Sequence, residues 1–172
     1  YEHQRASIIV TQTGSDIISI MMANDLGFFK HQATFDVGFS PNAIVLADLD
    51  HDGHVDIVVV NEDDNNIGIL VGHGNGAFND QVTYTTGLNP SSIAIADLNH
   101  DENLDIVVAN YESNNISILF GRSDGTLANQ ITQATALKPS SIAIADLNHD
   151  GHVDIVVANY GSNNVSMLLG YG

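Results

Sequence analysis

The sequence contains no cysteine and no tryptophan, and only four of its 172 residues are lysine or arginine. Without cysteine there is no disulfide framework and no thiolate metal site. The four basic residues stand against 21 acidic ones, a formal charge of -17 that repels nucleic acid and anionic lipid. No apolar run approaches the ~20 residues that span a bilayer, and the richest, Asp105 to Asn110, has the length of one strand, so no membrane insertion is expected. Helical periodicity is missing as well, since no stretch of about ten residues repeats apolar positions at helical spacing. The first residues, Tyr1-Glu2-His3-Gln4-Arg5, include neither an initiator Met nor an apolar signal core, as expected of a processed chain or a segment of a longer one.

With 44% hydrophobic residues the chain is rich enough to bury a core, but its acidity opposes compaction unless cations sit among the carboxylates. Those carboxylates are clustered by an internal repeat. Pro41, Pro90 and Pro139 recur every 49 residues, and between Pro90–Gly121 and Pro139–Gly170 25 of 32 positions are identical. The offset also runs backwards, placing Ile18 on Ile67, Gly27 on Gly76, Phe29 on Phe78 and Gln32 on Gln81. The chain therefore divides into a partial, degenerate repeat at 1–40, full repeats at 41–89 and 90–138, and a partial repeat at 139–172 that lacks its last strand.

Each unit predicts four short strands, as in Ser92–Asp97, Asp105–Asn110, Asn115–Phe120 and Gln130–Thr135. The second strand is apolar at consecutive positions (Ile57 to Val60, Ile106 to Val108, Ile155 to Val157), as a strand covered on both faces should be. Helix-containing repeats are excluded by the missing helical pattern, and the WD type by the missing Trp. Four strands in a period near 49 predict an all-β fold of four-stranded antiparallel β-propeller blades, about three and a half of them.

Chemistry is concentrated between the first and second strands of each unit. The loops read Asp48-Leu-Asp50-His-Asp52-Gly-His54-Val-Asp56, Asp97-Leu-Asn99-His-Asp101-Glu-Asn103-Leu-Asp105 and Asp146-Leu-Asn148-His-Asp150-Gly-His152-Val-Asp154. Oxygen-bearing side chains occupy positions 1, 3, 5 and 9, and alternate residues of a tight loop aim inward at one point. Calcium takes six to eight hard oxygens in such a flexible cage, with a backbone carbonyl at position 7, here from His54, Asn103 and His152. Three Ca2+ sites are expected, one per loop. A solvated turn would use the same residue types, but the three copies keep the acid pattern while tolerating change beside it. Magnesium rarely uses so many protein oxygens, and an EF-hand fails because its twelfth position holds Val59, Val108 or Val157 inside a strand. Glu102 stands where the other loops have glycine, so the middle site is expected to be the weakest. In the first unit the aligned positions are Tyr1, His3 and Ser7, which offer no carboxylates and are expected to bind nothing.

The acidic loop, the Ile-Val-Val-Ala-Asn strand after it and the Gly72-x-Gly74-x-Gly76-x-Phe78 segment together resemble the FG-GAP or VCBS repeat family. The resemblance covers nearly the whole chain. It implies blades like those of the integrin α-subunit head, with calcium held between the first two strands, and an extracellular setting, secreted or at the cell surface. Closed propellers of that kind have about seven units, twice the number here.

His51, His100 and His149 at position 4 are expected to face solvent, and no nucleophile elbow, phosphate-binding loop or zincin motif is present, so no enzyme is expected. Asn115-Ile-Ser117 and Asn164-Val-Ser166 are glycosylation sequons, although turn chemistry explains the preceding Asn-Asn pairs without a sugar. Tyr111 and Tyr160 offer aromatic faces for carbohydrate or for packing. The expectation is a non-catalytic, calcium-stiffened extracellular scaffold or adhesion module. An open stack of blades invites partners, so it would assemble with its own copies, as an oligomer or filament, or sit among neighbouring repeats of a larger surface protein. The alternative is a lectin-like propeller with a glycan ligand.

Overall fold

A computed structural model describes residues 7–24 and 26–171. They form four antiparallel sheets joined in series. The first sheet holds β1 (Ser7–Gln12), β2 (Ile17–Ala23) and β3 (Phe29–Asp36). The second holds β4 (Pro41–Ala47), β5 (Asp56–Asn61), β6 (Asn66–Leu70) and β7 (Val82–Thr85). The third repeats it with β8 (Pro90–Ala96), β9 (Asp105–Asn110), β10 (Asn115–Leu119) and β11 (Ile131–Ala134). The fourth contains β12 (Pro139–Ala145), β13 (Asp154–Asn159) and β14 (Asn164–Leu168), with a 3-10 turn at Tyr160–Ser162. Each sheet is a meander in chain order, the arrangement of propeller blades. No helix among the described residues is long and apolar enough to cross a membrane.

The uninterrupted apolar second strands explain the stacking. Side chains alternate across a strand, so the two faces of β5 meet different neighbours. Ile57 and Val59 pack with Ile18 and Ile20 of the first sheet, whereas Val58 and Val60 pack with Ile106 and Val108 of the third. β9 repeats the division, with Val107 turned to Ile155 and Val157 of the fourth sheet. All six residues of β5 and of β9 are buried. At about 1.5–3 kcal/mol for each fully buried Val or Ile, this interleaving holds neighbouring blades together.

Polar bonds fix the blades in rotation. The turn residues Asp16, Asn65 and Asn114 adopt positive φ, and their side chains accept the N–H of Ser40, Asn89 and Lys138 in the following linker. Ser40, Asn89 and Lys138 are themselves at positive φ immediately before Pro41, Pro90 and Pro139. This recurring strained step turns the chain into the first strand of each blade. The first strands then lie side by side, with Ser91 Oγ donating to Pro139 O and Asn42 Nδ2 to Pro90 O.

The outer sheets differ from the middle ones as their strand complement dictates. β1, 49 residues before β5, lies at a sheet edge with no first strand beside it among the described residues, and most of it is exposed. β14, the counterpart of the buried β10, likewise exposes Val165 and Met167.

Candidate metal centre

The three acidic loops share one backbone. His51, His100 and His149 at position 4 have φ of 60, 59 and 60°, and position 6 is left-handed in each: Gly53 at 86°, Glu102 at 70° and Gly151 at 87°. Glu102 therefore occupies the conformation that its loop needs from glycine. Loop carboxylates tie each turn together. The position 1 carboxylate accepts two backbone N–H groups, Asp48 from Asp52 and Gly53, Asp97 from Asp101 and Glu102, and Asp146 from Asp150 and Gly151. Position 5 caps position 7, with Asp52, Asp101 and Asp150 each accepting an N–H at 2.8 Å from His54, Asn103 and His152.

The residue at position 9 has a role that its spacing did not signal. Asp56, Asp105 and Asp154 are fully buried at the start of the second strand. One oxygen of Asp56 accepts the Leu49 N–H at 2.9 Å and the other accepts the Gly72 N–H at 2.8 Å. Asp105 does the same with Leu98 and Gly121, and Asp154 with Leu147 and Gly170. One carboxylate thus pins the acidic loop to the end of the third strand. Glycine at 72, 121 and 170 follows from this contact, because a Cβ there would overlap the carbonyl oxygen of Val55, Leu104 or Val153. The only advance signal was the recurrence of those glycines 16 residues after each aspartate.

The structure brings Asp48, Asp50 and Asp56 together, with one oxygen from each lying within 4.8 Å of the others. Asp52 lies outside this trio. In the second and third loops position 3 is an amide, and Asn99 and Asn148 donate from Nδ2 to Asp101 and Asp150 at 2.9 Å. Burial holds Asp105 above the ordinary carboxylate range, and the charges of Asp101 and Asp97 push the same way against the hydrogen bonds from Gly121 and Leu98. Asp101 is held below that range by the Asn103 N–H and the Asn99 amide, and Asp150 by the His152 N–H and the Asn148 amide.

Of the other sequence-predicted residues, Tyr1 and His3 lie outside the described residues, and Ser7 opens β1. His51, His100 and His149 are exposed as expected. Asn164 is exposed, whereas Asn115 is half-buried and its sequon partner Ser117 is fully buried. Ser117 takes part in a network in which Asn110 Nδ2 donates to both Ser117 Oγ and Asn115 Oδ1. That network gives the Asn-x-Ser pattern a structural reason. Tyr111 and Tyr160 lie on adjacent blades with ring centroids 6.3 Å apart and a tilt of 34°, and Lys138 stands over Tyr111.

Solved structures with the same arrangement include a candidate 6-phosphogluconolactonase from Bacteroides fragilis, 17% identical with a TM-score of 0.74, covering 94% of this chain and 46% of its own. A protein from Lactobacillus plantarum is 20% identical with a TM-score of 0.64, over 97% of this chain and 54% of that one. A functionally unknown protein from Desulfotomaculum acetoxidans is 17% identical with a TM-score of 0.61, over 95% and 56%. The chain thus spans about half the length of the solved structures it matches. A search of curated proteins finds no match. The sequence matches the FG-GAP-like repeat at residues 48–108 and 97–157.

Proposed function

Because the chain belongs to the FG-GAP-like repeat family, we propose that it is a non-catalytic, calcium-stabilised scaffold or adhesion module of the extracellular space. The observation that carries this reading is the convergence of Asp48, Asp50 and Asp56 in a loop whose backbone recurs twice more. The donor set is all oxygen, as a hard divalent cation requires. Asp56 fits although both its oxygens already accept N–H groups, since each keeps a second lone pair. In the first loop Asp48, Asp50, Asp52, Asp56 and the His54 carbonyl would hold the ion. Asp97, Asn99, Asp101, Asp105 and the Asn103 carbonyl would do so in the second, and Asp146, Asn148, Asp150, Asp154 and the His152 carbonyl in the third. Calcium would neutralise charge in a chain of -17 and lock the first strand of each blade to the second. The likeness to candidate lactonases, at 17% identity, carries the fold and not their chemistry.

The exposed edges at β1 and β14 support assembly, either with a second copy or with neighbouring repeats of a larger surface protein. Asn164, exposed on its hairpin, is a better glycan acceptor than Asn115. A second reading, carbohydrate binding, rests on the paired rings of Tyr111 and Tyr160, and glycan-array binding lost in Tyr160→Ala would favour it. The principal reading is tested by thermal unfolding in calcium and in chelator. With free calcium tenfold above each Kd, linkage contributes about 1.4 kcal/mol per site. Three sites then raise Tm by about 8–16 °C, and an unchanged Tm would count against calcium stabilisation.

A further inference from the structure

A histidine pair bridges the acidic loops of two blades. His100, at position 4 of the second loop, and His152, at position 7 of the third, lie with ring centroids 5.3 Å apart and planes inclined at 60°. His100 has left-handed backbone with φ of 59°, and Gly151, immediately before His152, is left-handed as well with φ of 87°. His100 is exposed and His152 half-buried, so both rings are open to solvent and to ions. At a centroid separation of 5.3 Å the two imidazoles are near enough to share one metal at bonds of ~2.0–2.1 Å, and the soft χ2 torsion leaves each ring free to turn a nitrogen towards it.

We propose that His100 and His152 form an inter-blade site for a late first-row divalent metal of the Ni2+, Cu2+ and Zn2+ class, with water completing the coordination. Imidazole nitrogen suits these ions, whereas calcium takes hard oxygens, so the two kinds of site have separate chemistries. The proposal goes beyond the calcium reading and does not depend on it. A strongly acidic surface raises the local concentration of any divalent cation. An ion held by one ring from each loop cross-links the second blade to the third.

The repeat supplies an internal control. Position 4 of the second loop meets position 7 of the third, and the equivalent pair between the first two loops is His51 and Asn103. The loop backbones there match, with φ of 60 and 59° at His51 and His100. At 103 an amide stands where the other pair has an imidazole, and left-handed Glu102 at 70° precedes it in place of Gly151 at 87°. Asn103→His should therefore create a second site.

The test is calorimetric titration of the untagged chain with Ni2+ in excess calcium, which keeps the oxygen loops from competing, together with melting in Ni2+. The wild type is expected to bind one equivalent and to melt at higher temperature, and His100→Ala or His152→Ala to weaken binding at least about tenfold. His100→Gln serves as a second variant, with circular dichroism verifying the fold. Asn103→His is expected to take up two equivalents. Equal Ni2+ binding by the wild type and the double variant His100→Ala/His152→Ala would overturn the site, and a single equivalent in Asn103→His would overturn the pairing rule. Because calcium affinity is measured separately, failure here leaves the calcium reading intact, and Ni2+ binding without any calcium response would leave this site intact.

Discussion

Asp56→Ala removes a fully buried carboxylate that accepts the Leu49 N–H at 2.9 Å and the Gly72 N–H at 2.8 Å. Hydrogen bonds to a charged acceptor contribute about 1.5–3 kcal/mol each, and here both donors are left with no partner inside the protein. The expected loss is about 3–6 kcal/mol, a large part of the roughly 5–15 kcal/mol that holds a domain folded. Asp56→Asn keeps one acceptor and turns an amide N–H towards the other donor, so about half the loss is expected. Urea unfolding in chelator isolates this effect, because any calcium contribution is then absent from wild type and variant alike. The midpoint should fall with little change in slope. Asp105→Ala and Asp154→Ala should behave similarly, since each carboxylate makes the same two bonds. A loss below about 1 kcal/mol for Asp56→Ala in chelator would refute the assignment of position 9 as the pin between loop and third strand.

Glu102→Gly relieves a left-handed backbone of φ 70° and should stabilise the chain by about 1 kcal/mol while tightening calcium at the middle loop, both read by melting across a calcium series. Gly121→Ala drives a Cβ into the Leu104 carbonyl oxygen and should cost about 1–3 kcal/mol in urea unfolding, and a neutral result would contradict the close approach. Carboxyl-carbon NMR in chelator should find Asp105 titrating above the ordinary 3.8 and Asp101 and Asp150 below it, and the reverse order would contradict the burial and hydrogen bonding described. By linkage, the stability from Asp101 and Asp150 is present above pH 3.8 and is lost as pH falls through their lowered folded values. Asp105 acts oppositely, because its folded form binds the proton more tightly, so protonation favours folding as pH falls through its raised value.

Much of the fold could be read from the periodicity. The 49-residue offset and the consecutive apolar residues of Ile57 to Val60 anticipated a buried second strand, and β5 is buried on both faces. Solvent-facing His51 and the left-handed need at Glu102 were also legible, because both follow from local turn geometry. Contacts across distant residues were not. Asp56 reads as one more loop oxygen until the fold brings the Gly72 N–H to it from 16 residues away. Asn114 reads as turn chemistry until its side chain is found accepting the Lys138 N–H in the next linker. His100 and His152 are 52 residues apart, and only the rotation between adjacent blades makes them neighbours. The missed features are inter-blade or inter-hairpin, and a repeat sequence states its period without stating its twist.

Calcium occupancy of the acidic loops is tested most directly by native mass spectrometry of the chain at increasing free calcium, with triple Asp48→Asn/Asp97→Asn/Asp146→Asn as the control. The account predicts three bound ions, the last to fill being lost from the spectrum when Asp97→Asn alone is made, and none in the triple variant. A wild-type spectrum that stays metal-free into millimolar calcium, the weak end of the range for extracellular calcium modules, would contradict it.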